Sequence, residues 1–203
     1  MIVGILGFKG GVGKTTAAIH LAACLNQEAP ACLIDADPNQ SALNWGLKGL
    51  LPFPVVGEEE TAKAARKYEH LVIDCKARPT REAIKALQKG TDLLILPTTP
   101  DGLAIEALLL TVEALGDIER ERFRVLLNIC PPAPSNDPEQ ARGLLKKAGL
   151  PMFEGQIRRA VAFQRAAVAG CLVGDIADDR APLAAGDYEG IGAEIFESMK
   201  GTQ

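Results

Sequence analysis

Residues 9–16 read Lys9-Gly10-Gly11-Val12-Gly13-Lys14-Thr15-Thr16. An apolar run, Ile2-Val3-Gly4-Ile5-Leu6-Gly7, precedes them, and Ala17-Ala18-Ile19-His20-Leu21-Ala22-Ala23-Cys24-Leu25 follows. The order is strand, glycine loop, helix. From Gly7 the stretch fits G-x-x-x-x-G-K-T, the pattern of a phosphate-binding P-loop in the context that such a loop requires. Glycines let successive backbone N–H groups converge on phosphate oxygens, and the helix N-terminus adds partial positive charge. The backbone of Gly10, Gly11, Val12, Gly13, Lys14, Thr15 and Thr16 is therefore the expected phosphate cradle. Lys14 is expected to reach the β/γ-phosphates, and the Thr15 hydroxyl to ligate Mg²⁺. An ordinary P-loop does not need the second lysine, Lys9.

Working outward, the chain has 203 residues, 47% of them hydrophobic, enough to bury one good core. We therefore read residues 1–203 as a single domain. The net charge of −4 does not suggest a chain that coats nucleic acid, although a local basic patch remains compatible with it. The five cysteines are scattered, odd in number and without a C-x-x-C pair, which reads as buried free thiols in a reducing cytosol. The first strand begins at Met1-Ile2, leaving no room for a signal peptide, and no apolar run approaches the ~20 residues that span a bilayer. The expected location is cytoplasmic.

Further apolar runs end in acids or amides. Ala31-Cys32-Leu33-Ile34-Asp35 leads into Asp35-Ala36-Asp37-Pro38-Asn39-Gln40, and His70-Leu71-Val72-Ile73 leads into Asp74. In a parallel sheet such strand ends face the ligand crevice. Asp37 suits either the Mg²⁺ shell or an attacking water, and equally a helix cap with a turn before Pro38. Asp74 fits the pattern of a Mg²⁺-binding strand end. Pro54-Val55-Val56 is a short strand, and Glu58 to Tyr68 a polar helix. A helix starts at Pro79-Thr80-Arg81-Glu82 and ends near Gly90. Strands follow at Asp92–Pro97 and Phe123–Asn128. Between them, Asp101 to Gly116 is helical, with Leu103, Ala107, Leu110 and Ala114 as the stripe expected to pack on the sheet. Later helices are expected at Glu139–Ala148, up to Ala169, and from Ala184 to Lys200. Strands alternating with helices predict a doubly wound α/β fold with a mostly parallel sheet.

The K-G-G-x-G-K-T-T string resembles the deviant Walker A ATPases of the ParA/MinD group, which also holds the nitrogenase iron protein and the arsenic-pump ATPases. The D-x-D-P-x-Q-S-x-x-x-W form, running through Ser41 and Trp45, is similar to the small plasmid-type ParA proteins. The resemblance implies a weak ATPase that uses ATP/ADP and Mg²⁺. In that family Lys9 acts in trans on the partner subunit's nucleotide, making an ATP-dependent sandwich homodimer. Lys9, Lys14 and Asp37 are then the catalytic set, with Asp37 tied to hydrolysis. Thr15, Asp37 and Asp74 organise the metal, and Asn128 reads the adenine edge. Arg158, Arg159 and Arg165 are implied as contacts to non-specific DNA, with Lys146 and Lys147 nearby. A ParB-like or adaptor protein stimulates hydrolysis, and the protein is nucleoid-associated, moving a plasmid, chromosome or protein cargo. The stretch Cys75-Lys76-Ala77-Arg78 departs from the family pattern. Lys76 and Arg78 are open to phosphate, partner or adaptor contact, or to plain solvation. No cluster-ligating cysteine arrangement supports the iron-protein branch. The acidic tail, with Glu189, Glu194 and Glu197 outweighing Lys200, argues against a MinD-like membrane anchor. The short stretch ahead of the loop leaves no room for a DNA-reading domain. A MinD-like membrane switch and a metabolic P-loop kinase or synthetase are the alternatives.

Overall fold

The structure, a computed structural model, describes residues 1–116 and 118–200, and only the backbone of 199 and 200. Lys200, counted above in the charge of the tail, falls outside the described side chains. Six strands form one sheet: β1 Ile2–Ile5, β2 Ala31–Ala36, β3 Val55–Gly57, β4 His70–Cys75, β5 Leu93–Thr98 and β6 Phe123–Leu127. Their order is β3-β2-β4-β1-β5-β6, and every pairing is parallel. The chain leaves β1 toward β2 and β3, returns to β4, then crosses to β5 and β6. This reversal around β1 opens a crevice at the carboxyl ends of β1, β2 and β4, where doubly wound sheets take their ligands.

The helices are α1 Lys14–Glu28, α2 Ser41–Gly46, α3 Thr61–Ala64, α4 Arg81–Gly90, α5 Gly102–Leu115, α6 Asp137–Lys147, α7 Val161–Ala169 and α8 Ala181–Lys200. Side chains alternate across each strand. Val3, Ile5, Leu33, Val72 and Ile95 join α1 and α8 in the larger core. On the opposite face Leu94, Leu96 and Val125 meet Ile84 of α4, Leu108 of α5 and Leu145 of α6. Beside them, Cys32, Ile34 and Leu71 of β2 and β4 have Ala64 of α3 as the helical member of a small third cluster. All five cysteines are buried and free.

Two expectations are corrected. The helix of α5 buries Ala104, Leu108, Thr111 and Leu115, while Leu103 and Leu110 are 72% and 56% exposed. This helix carries two apolar stripes, and periodicity alone chose the outer one. The polar segment after β3 is a 3-10 turn, Glu58–Glu60, followed by the single turn α3, not a helix reaching Tyr68. Arg158 and Arg159 precede α7 in extended chain, with Arg158 bridging Cys130 in parallel. The helix α2 starts at Ser41 behind Gln40, a turn later than the helix cap considered at Asp37 would place it. The Asp35 carboxylate accepts from the Leu43 backbone at 2.9 Å within it, and the Trp45 indole donates to Cys171 O at 3.0 Å.

His20 ties the loop helix to the carboxyl-terminal half. Its Nδ1–H donates to Thr16 O at 2.8 Å, and its Nε2 accepts from Val173 N at 3.0 Å. The ring stacks on Tyr188, 4.8 Å between centroids, with Trp45 and Phe163 edge-on. Both ring nitrogens are used in one neutral tautomer. Burial, opposed by the Thr16 carbonyl and Asp175, lowers its pKa to about 4. Because the folded value lies below the free value of 6.5, the stability is complete above pH 6.5 and is lost as pH falls toward 4. Nitrogen-15 NMR of the two histidines should therefore show His20 still neutral at pH 5. An imidazolium signal from His20 at that pH contradicts the assignment.

Candidate functional site at the carboxyl edge of the sheet

The loop between β1 and α1 owes its shape to two glycines. Gly11 and Gly13 have φ of 77° and 83°, a region that side chains disfavour. A Cβ at Gly10 or Gly11 meets nothing within 4 Å, so the loop is open on that side. A Cβ at Gly13 would lie 2.4 Å from Asn128 Nδ2. That approach exists because Asn128, buried at the end of β6, donates from Nδ2 to Val12 O at 2.8 Å. Its Oδ1 accepts from Ile129 N at 2.9 Å. Sequence reasoning placed Asn128 at the adenine edge. Here its amide fastens the loop to the far half of the sheet, a task no sequence pattern announced.

Lys14 opens α1 and is buried, its Nζ donating to Lys9 O at 3.3 Å. Thr15 and Thr16 follow in the first turn, which holds no acidic residue and leaves its N–H groups for an anion. Lys9 does not fold over its own loop. Its Nζ pairs with Asp101 Oδ1 at 2.9 Å, half in solvent. The same oxygen caps α5 by accepting from Ala104 N at 3.0 Å, and the Thr99 hydroxyl donates to the other oxygen. The Thr99 and Lys9 contacts hold the Asp101 carboxyl below its ordinary value. Farther along α5, the Thr111 hydroxyl accepts from Phe8 N at 3.2 Å. The loop is thus tethered to α5 at two points. Asp101 was read from sequence as the start of this helix, and its pairing with Lys9 was not foreseen.

Three carboxylates gather on β2, β4 and the turn after β2. Asp35 and Asp74 are register partners on neighbouring strands. Asp35 is satisfied: it accepts from Asp37 N at 3.0 Å as well as from Leu43 N. Asp37 accepts from Asn39 N at 2.9 Å, the turn geometry considered for it from sequence, and stays half-buried. Asp74 differs. Both of its oxygens are buried and have no hydrogen-bond partner among the described residues. Burial pushes its carboxyl up to about 7. The Thr15 hydroxyl beside it and Lys14 oppose the rise, while Asp35 and Asp37 add to it. An orphaned buried carboxylate next to a threonine hydroxyl and a phosphate loop matches the donor set of Mg²⁺, a hard cation taking oxygen ligands and phosphate.

The basic residues assigned to DNA separate. Arg158 makes a two-pronged pair with Asp187, both contacts 2.7 Å, and Arg165 pairs with Asp178 at 2.9 Å. Lys146 pairs with Glu154 at 3.9 Å. Arg159 is exposed and forms no ion pair among the described residues. No helix among the described residues is long and apolar enough to cross a membrane.

Positive-φ glycines between a buried strand and a helix, a buried lysine at the helix start, and an orphaned aspartate on the next strand define a P-loop nucleotide-binding domain. The family described as CobQ/CobB/MinD/ParA nucleotide binding domain matches residues 3–173, and the chain belongs to it. The maintenance of carboxysome distribution protein A of Gloeobacter kilaueensis is 33% identical over 201 residues, covering 96% of this chain and 93% of that protein. Apo McdA from Cyanothece superposes with a TM-score of 0.74 at 18% identity, covering 98% of each chain. A plasmid partition protein from Borrelia burgdorferi, solved bound to AMPPNP, superposes with a TM-score of 0.72 at 19% identity and the same coverage. The all-parallel sheet is the fold that the sequence predicted, and the ParA/MinD resemblance holds.

Asp74→Asn tests the orphaned carboxylate. A raised folded pKa means stability is complete below the unfolded value of 3.8 and is lost as pH rises through about 7. Each pH unit between the two values costs roughly 1.4 kcal/mol. In thermal denaturation without nucleotide, the variant should melt higher than wild type at pH 8 and show little difference at pH 4. An equal or lower melting temperature at pH 8 contradicts the account.

Proposed function

We propose that the protein is a ParA-type positioning ATPase whose Mg²⁺·ATP-bound form is a sandwich dimer. The observation that carries this reading is the disposition of Lys9. The loop's second lysine points to the start of α5, away from its own phosphate cradle, and that helix has Leu103 and Leu110 exposed. A charged group and an apolar stripe at one edge suit a second copy of the same edge. Within one chain Asp101 holds Lys9 in cis, and a trans role requires that this pair open.

Within one subunit, Lys14 and the amides from Gly10 to Thr16 bind and orient the phosphates. Asn128 keeps the loop in register and, with its remaining amide hydrogen, is the group proposed for adenine. Thr15 and Asp74 would hold Mg²⁺, which would supply charge neutralisation to the phosphates. Asp37 orients the attacking water from a turn that Asp35 fixes. Phosphoryl transfer asks mainly for such positioning and electrostatics. Support for the nucleotide and metal comes from the family, in which one neighbour carries AMPPNP and a MinD from Pyrococcus horikoshii carries Mg-ADP.

The cargo class proposed is a protein assembly, because the 33% identical relative is named for carboxysome distribution. A partner protein that stimulates hydrolysis and non-specific attachment to nucleoid DNA complete the cycle.

Light scattering after gel filtration tests the dimer. Wild type should be dimeric with ATP and monomeric with ADP, and Lys9→Ala should bind ATP yet stay monomeric. A Lys9→Ala dimer with ATP overturns the trans role. DNA co-sedimentation with ATP should weaken with salt, as phosphate contacts do. Arg159→Glu should reduce it about ten-fold or more, and Arg165→Glu much less, since Arg165 is already paired in cis. The reverse ranking contradicts this placement of the DNA surface.

A further inference from the structure

The second face of the sheet is unevenly covered. Helices α4, α5 and α6 lie over β1, β5 and β6, whereas one turn of helix, α3, lies over β2 and β4. Between α3 and α4 this leaves a cleft of about 390 Å³. Its floor is the outward row of three strands: Ile2, Ile34, Leu71 and Ile73. Its walls are small or apolar, Ala65 on the α3 side and Ala86 and Leu87 on α4. Ile2 and Ile73 remain partly exposed, and Ala86 is exposed. Apolar strand residues that no helix covers are surface kept free of charge at a cost in solubility.

In a chain of net charge −4, the stretch from Glu58 to Gly90 that borders the cleft carries eight lysines and arginines against six acids, one of them the buried Asp74. Lys76, just after β4, and Glu58, just after β3, are the charged residues of the lining among the described residues. Arg66, next to the lining Ala65, and Lys89, next to the lining Gly90, are exposed. None of Arg66, Lys76 and Lys89 forms an ion pair among the described residues, unlike Arg158 and Arg165. The long side of the floor is the six residues of β4, about 20 Å at a rise of ~3.3 Å per residue. That is the length of about 13 helical residues.

We propose that this cleft docks an acidic amphipathic helix of a partner protein, its apolar stripe on the sheet and its carboxylates toward Arg66, Lys76 and Lys89. The apolar floor selects protein over DNA: a phosphate backbone satisfies the rim and leaves Ile2 and Ile73 uncovered. The mouth is built from Ala36 and Pro38, which flank Asp37, and from Cys75 and Lys76, which follow Asp74. An occupant therefore touches both segments that carry Asp37 and Asp74. This also gives a task to Lys76, the departure from the family pattern. The inference rests on the shape and charge of the cleft and not on the dimer or ATPase reading.

The test uses the full chain without nucleotide and a fluorescein-labelled peptide of about 14 residues. Leucines at i, i+3, i+4 and i+7 form one face, and glutamates fill the other. A twin carries lysine in place of glutamate. Fluorescence polarisation should show the acidic peptide binding and the twin at least about ten-fold weaker. Ala86→Trp, which fills the cleft from an exposed position, and Arg66→Glu with Lys89→Glu should each weaken the acidic peptide about ten-fold. Unchanged melting temperatures would establish that both variants are folded. Three results overturn the proposal: no binding of the acidic peptide, equal binding of the two peptides, or binding indifferent to Ala86→Trp. Displacement of the peptide by a DNA duplex whose own binding ignores Ala86→Trp also overturns it, in favour of a nucleic-acid face.

Discussion

A carboxylate with no partner, buried between a lysine and two other acids, is costly to keep ionised. Asp74 is such a group, and the rest of the carboxyl edge is arranged about it. Its neighbour across the strands, Asp35, spends both oxygens on backbone N–H groups, and so fixes the turn that carries Asp37. Its neighbours across the loop, Thr15 and Lys14, sit at the start of α1 because Gly11 and Gly13 take backbone conformations that side chains resist. Satisfying Asp74 with a local donor would relieve the strain and close the site. In the proposed function, the orphaned carboxylate is the group that would take Mg²⁺.

The loop is also held from outside. Asn128 fastens it to β6, and Asp101 and Thr111 fasten it to α5. His20, nearly two turns into α1, fastens the same helix to Val173 and to the aromatic cluster with Tyr188 of α8 and Phe163 of α7. The loop and the helix it opens are thus tied to three distant places: β6, α5 and the carboxyl-terminal helices.

Much of this was legible in the sequence. The glycine loop, the apolar runs and the acids that end them named the sheet, its parallel sense and the P-loop, because each signal is local. What stayed hidden depends on distant pairs. Lys9 and Asp101 are 92 residues apart, and Arg158 and Asp187 are 29 apart. No spacing rule joins them, so Arg158 read as a free cation. The α5 stripe was misassigned because both of its faces are apolar, and periodicity cannot tell which meets the sheet. The loop contact of Asn128 was not legible because the same amide chemistry suits adenine and a backbone carbonyl, and Val12 is 116 residues away.

Asp74, on this reading, is held at the edge of ionisation until a cation and phosphates arrive. Carbon-13 NMR titration of the aspartate side-chain carboxyls measures this directly. In the nucleotide-free protein Asp74 should titrate near 7, and with Mg²⁺·ATP it should stay ionised throughout the folded range. A nucleotide-free value near the ordinary 3.8 would contradict the account.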